Sequence, residues 1–277
     1  MCDMPPPVCI QNIGVPAETL REQLVYELEN ADAFIYANNN AVGIELASQF
    51  SSKLAGLKVP VVSFHAFHPD LCYAYHRQSL QFTRDNYNSV IALWAYTNNL
   101  APERTAMLYR AEVYAALGYF DAWPAAVRQM QAAFDDSDFK PDFREFYLAV
   151  KREGCFMHTV NHPRLPVLMG LSRLVIRRLG LEVRREISPG QINDNLNGQI
   201  WPIYPEIAEH LALEGGSYVW KYSQEGRSLS GVRQYLDAKF EDYRQQGHTP
   251  DTLQFVPSTV QFLDSMERAD AVLKNFV

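Results

Sequence analysis

Strands and helices alternate over the first 70 residues, and this alternation limits the fold more than any other feature of the 277-residue chain. Residues 7–13 read as a strand. Residues 17–30 read as a helix, with Leu20, Leu24, Val25 and Leu28 at helical spacing. Residues 33–37 (Ala-Phe-Ile-Tyr-Ala) form a short apolar strand, 38–40 a polar turn, 42–54 a second helix and 59–67 a third strand. This order implies a parallel sheet with right-handed crossovers. Ligands of such sheets bind beyond the carboxyl ends of the strands, where the turn at Asn38 and the segment 65–70 would fall.

From Gln78 onward the spacing is mostly helical. Helices are expected over 79–99, 102–117 with Pro102 in the first turn, 122–134, 142–152, 165–179 ended by Gly180, 205–213 and 230–246, with a turn at 214–216. No repeat, low-complexity tract or Pro/Gly/Ser-rich linker interrupts the chain. The expectation is therefore one α/β domain over 1–277: a small parallel Rossmann-like sheet at the N-terminus (1–77) with a large, mostly helical portion (78–277) packed on it.

The net charge of -7 weighs against nucleic acid as a partner. Four widely spaced cysteines, Cys2, Cys9, Cys72 and Cys155, make neither a disulfide framework nor a thiolate zinc site. They suit a reducing, cytoplasmic setting, and residues 1–7 lack a signal-peptide pattern. The most apolar long segment, 165–181, carries Arg173, Arg177 and Arg178, so no transmembrane segment is expected.

Five of the seven histidines fall in two short windows. The first holds His65, His68, Asp70, Cys72, Tyr73 and His76. Pro69 biases His68 away from helix, and Asp70 can orient a histidine, accept a proton or cap the following segment. The second window holds Cys155, His158, Thr159, Asn161, His162 and Pro163, just before a helix. His162 is a general acid or base by type, while Asn161 or His162 can equally serve as a cap. A metal-dependent hydrolase using these histidines with Asp70 is a competing reading, but their spacing matches no metal signature and no metal is expected. There is no Gly-rich phosphate loop and no Gly-x-Ser-x-Gly elbow.

The strand Ala31–Tyr36, the run Val61–Tyr73 through His65, His68 and Asp70, and Thr159-Val160-Asn161-His162-Pro163 together resemble the WcbI-type capsular polysaccharide biosynthesis family, in order and spacing, over residues 8–182. The resemblance implies coenzyme A or acetyl-coenzyme A as a small-molecule thioester substrate, and acetyl transfer to a sugar or polysaccharide acceptor. It places His162, Asn161, His68 and Asp70 in catalysis, and His65, Tyr73, Arg77, Thr159 and Arg164 against coenzyme A. Arg84, Lys151 and Arg152 are further cations able to reach a phosphate. The family's opening strand and Gly-Asn-Cys-Gln turn have no match here, since Cys9 lies inside a predicted strand that aligns with the family's second. Either the chain starts late or this member has lost its nucleophile. A thiolate paired with an imidazole would carry the acyl group, so a noncatalytic coenzyme A or glycan binder is the alternative. Cys155 is a substitute thiol, although burial is the commoner use of such a cysteine.

Overall fold

The computed structural model describes residues 17–183, 185, 187–222 and 227–277. The expected strand at 7–13, with Cys9, and Cys2 lie outside the described residues. In chain order the elements are α1 (Ala17–Leu28), β1 (Ala33–Ala37), α2 (Ala41–Gln49), β2 (Ala55–Val59), β3 (Leu71–His76), β4 (Phe82–Ser89), α3 (Val90–Thr97), α4 (Pro102–Ala106), α5 (Ala111–Leu117), α6 (Ala122–Asp135), α7 (Phe143–Lys151), α8 (Leu165–Arg178), α9 (Pro205–His210), β5 (Val219–Lys221), β6 (Ser228–Ser230), α10 (Val232–Gln245), β7 (Leu253–Val256) and α11 (Met266–Leu273). The class is α/β, with a small parallel sheet near the N-terminus and many helices. No described helix is long and apolar enough to cross a membrane.

The chain divides into two compact units. The first contains the described residues up to Val61, Gln131–Ala149 and Met169–Ile192. Here β1 and β2 pair in parallel, Ile35 opposite Leu57, with α2 as the crossover. Asn40 caps α2, its side chain accepting from the Gly43 N–H at 2.9 Å. A Cβ on Gly43 would lie 3.0 Å from the Cβ of Tyr36, so glycine lets the helix rest directly on β1. Leu20, Leu24 and Leu28 recur every fourth residue along α1 and bury one stripe against Leu46 and Leu54.

The second unit contains Val62–Met130, Val150–Leu168 and Asn193–Val277. Its antiparallel sheet has the order β4-β3-β7, and β5 pairs with β6 as a separate hairpin. In α3 every residue from Val90 to Tyr96 is buried, so this helix is apolar all round because it is packed all round. The surrounding core is aromatic, with Trp94, Tyr114, Tyr119, Tyr204, Trp220, Tyr235 and Tyr243 all buried.

Three expected elements differ. The strand expected at 59–67 lies upstream as β2, because Pro60 has no N–H to extend the ladder. His65–Phe67 is instead a turn of 3-10 helix whose residues are all buried. The helix expected over 79–99 begins only at Val90, capped by Ser89. Its first half is β4, where Thr83, Asn86, Asn88 and Ser89 are poor helix formers and pairing with β3 decides. The helix expected over 102–117 is two, α4 and α5, separated where Arg110 takes an extended backbone.

Candidate functional site

The two histidine windows meet within the second unit. The Phe64 N–H donates to the Val160 carbonyl at 2.8 Å, tying the segment before His65 to the loop that carries Thr159, Asn161 and His162. That loop closes on itself. Met157 pairs with Pro163 in an antiparallel bridge. The His158 N–H donates to the His162 carbonyl at 2.7 Å, and the Arg164 N–H to the Phe156 carbonyl at 3.0 Å. Three buried rings fix the same junction: Phe156 lies 4.9 Å from both Phe64 and Phe67.

A polar cluster sits on this junction. The Tyr87 hydroxyl, from β4, donates to Asn161 Oδ1 at 2.6 Å. Thr159 Oγ1 donates to the same oxygen at 3.1 Å, and His162 Nε2 lies 3.4 Å from the Tyr87 hydroxyl. Tyr73 faces Tyr87 across the β3–β4 register, with ring centres 5.7 Å apart. Thr159 and Tyr87 are buried, whereas Asn161 and His162 are half-buried. The cluster is thus held from below and half-exposed at Asn161 and His162, with His162 Nε2 toward Tyr87 and Nδ1 buried without a hydrogen-bond partner among the described residues. With Asn161 Oδ1 engaged by two hydroxyls, its NH2 remains the donor for a ligand. Burial, and secondarily the charge of His158, push His162 below the ordinary imidazole range, while the Leu196 backbone and Asp194 push it back. A lowered imidazole is neutral near pH 7 and can take a proton. Burial raises Tyr87, so its hydroxyl stays protonated and donates.

A model of the polysaccharide biosynthesis enzyme WcbI matches residues 15–184, well over half of the chain. The chain belongs to the WcbI family. A solved WcbI structure, described as native protein without a disulfide bond between coenzyme A and one of its cysteines, shares the fold at a TM-score of 0.66 and 14% identity. The match covers 95% of this chain and 82% of that one. No curated protein matches the chain.

The stretch matched to WcbI includes Tyr73, Tyr87, Thr159, Asn161 and His162. Four of these five were legible in the sequence. Tyr87 was missed because its segment read as helix, although the polar run from Thr83 to Ser89 was the available signal. The other expected site residues are dispersed. His68 is buried, with Nδ1 3.3 Å from the Pro202 carbonyl. Burial drives it down to about 3, aided by the charges of Arg164 and His158. His65 instead bonds Gln129 at 2.9 Å and packs its ring 5.7 Å from Phe262. Arg77 is exposed past the end of β3, and its N–H donates to Thr252. Arg84 is exposed and 3.7 Å from Asp242. Arg164, Lys151 and Arg152 are exposed at the two ends of the histidine loop. Cys72 and Cys155 are free thiols. Burial pushes both up, so neither is a ready thiolate. Among the described residues no group of three His, Cys, Asp or Glu is placed to hold a metal.

Asp70 takes its partners from the aromatic core and the start of α3 rather than from a histidine among the described residues. It is fully buried and accepts from the hydroxyls of Tyr204 at 2.7 Å and Tyr119 at 2.8 Å, and from the Ile91 N–H at 3.2 Å. Asp70 thus accepts from the first turn of α3 across the fold, although it stands just before β3 in sequence and Ser89 is the cap of that helix. Burial raises its carboxyl from 3.8 to about 6, against the lowering effect of these hydrogen bonds. The folded value lies above the unfolded one. The stability tied to this proton is therefore complete below about pH 4 and lost as pH rises through about 6, some ~3 kcal/mol for about two units. Denaturant unfolding at pH 4.5 and 7.5 checks this, since Asp70→Asn should flatten that part of the pH dependence. An unchanged slope in a folded variant would show that Asp70 does not titrate in this window.

Proposed function

We propose that this WcbI-family protein transfers an acetyl group from acetyl-coenzyme A to a sugar hydroxyl in surface, capsular polysaccharide biosynthesis. The observation that carries this reading is the half-open cluster in which His162 lies beside the Tyr87 hydroxyl, with Asn161 pinned by Tyr87 and Thr159. His162 takes the proton of the acceptor hydroxyl as its oxygen bonds to the thioester carbonyl carbon. Asn161 donates to the carbonyl oxygen as negative charge develops there. The carbon–sulfur bond then breaks, and His162 returns the proton to the leaving sulfur. Acetyl and proton are both accounted for, and no protein thiol is needed. The cationic side chains suited to the phosphates of coenzyme A are Arg164, Lys151 and Arg152, and Tyr73 offers a ring surface beside the cluster. His68 and Asp70 support the site from the core rather than touching substrate.

Mass spectrometry of acetylated sugar acceptors tests the reaction. With direct transfer, Cys155→Ser keeps the rate within about twofold, whereas a loss of tenfold or more would place the acyl group on that sulfur. A second reading, a member that binds coenzyme A or a glycan without turnover, follows if transfer must run through a thiol, because burial pushes both Cys72 and Cys155 up. Binding with no acetylated product under any acceptor would decide for it.

A further inference from the structure

We infer that His158 and Asp194 form a positioning dyad that sets the imidazole of His162, an inference that rests on the reading of His162 as the base. His158 Nε2 lies 2.8 Å from Asp194 Oδ2, and both side chains are largely buried, at 10% and 16% exposure. The backbone of His158 is held as firmly as its ring. Its N–H donates to the His162 carbonyl at 2.7 Å, and its own carbonyl accepts from the Trp201 N–H at 2.8 Å. The second oxygen of Asp194 accepts from the Leu196 N–H at 3.1 Å, and the Leu196 backbone faces His162. One carboxylate therefore fixes the ring of His158 and the turn against which His162 rests.

Asp194 accepts at His158 Nε2, so that nitrogen carries a hydrogen. Nδ1 is buried without a hydrogen-bond partner among the described residues. The Tyr87 hydroxyl from β4 lies against His162, and the charges of His158 and Asp194 act on its proton in opposite senses, the Leu196 backbone on the side of Asp194. A purely structural ion pair would hold the loop but would not distinguish a charged from a neutral acceptor at residue 194.

The test is an NMR titration of the imidazoles in the full chain, without ligand, for wild type, Asp194→Asn and His158→Gln. Asp194→Asn keeps an acceptor for His158 and removes only the charge, so the midpoint of His162 should fall. His158→Gln removes the imidazole whose protonated form opposes protonation of His162, so the midpoint should rise. In the transfer assay Asp194→Asn should lower kcat roughly tenfold or more, with KM for acetyl-coenzyme A within about twofold, and Asp194→Glu should restore part of the loss. A folded Asp194→Asn protein with an unmoved His162 midpoint overturns the dyad, even if His158→Gln fails to fold. If wild type transfers no acetyl group, the proposed function fails, while the titration still judges the dyad by itself.

Discussion

Replacing His162 by alanine lowers acetyl transfer by roughly 10²–10⁴-fold, the span that a positioned general base supplies, and leaves the fold intact. The side chain is half-buried and its bond to the Tyr87 hydroxyl is long, 3.4 Å, and Tyr87 keeps Asn161 and Thr159 as partners when the ring is removed. The backbone bond from the His158 N–H to the His162 carbonyl survives the substitution. Steady-state kinetics with circular dichroism measures both halves of the expectation. Because burial lowers the imidazole, activity in the wild type should hold through neutral pH and fall only in acid, as His162 takes up a proton. A variant that retains most of its rate would remove His162 from the chemistry, whatever the protein binds.

The second large effect is on stability. Phe64→Ala should cost about 3–5 kcal/mol, the usual range for deleting a fully buried phenylalanine. Phe64 has no exposed surface, and its ring packs 5.1 Å from Phe67, 4.9 Å from Trp123 and 4.9 Å from Phe156. Two of these contacts come from its own histidine window and the other, and Trp123 backs them both. The cavity would open at the junction where Phe64 also bonds Val160, so loss of stability and loss of binding should appear together. Leu80→Ala is the control, because Leu80 is 69% exposed and its removal should change stability by less than about 0.5 kcal/mol. Equal losses for both variants would show that the junction is not a packed core.

The parts of this molecule that could be read from sequence are those set by local chemistry. The apolar run at 33–37 is β1 to the residue. Gly180, with a positive φ of 68°, ends α8 region as a left-handed glycine can. The loop of Thr159, Asn161 and His162 was visible because a proline and two polar types stand before an apolar helix. What escaped was set by pairing distant in sequence. β4 is a strand because β3 lies beside it, and Tyr87 reaches Asn161 across 74 positions. β7 joins the sheet from nearly 180 residues away, Gln254 opposite Tyr75. Asp194 lies in a polar loop with no periodicity, so nothing local marks it as the partner of His158. Asp70 illustrates the opposite case: its residue type suggested chemistry, and its surroundings of Tyr119, Tyr204 and the start of α3 make it a buried support.

The central claim is that coenzyme A binds at the cluster of His162, Asn161 and Tyr87. Isothermal titration of the full chain with coenzyme A and with acetyl-coenzyme A, repeated on His162→Ala, tests it most directly. Saturable binding of both ligands by wild type, weakened in the variant, is the predicted result. Binding that is absent in wild type, or identical in the two proteins, would contradict the claim.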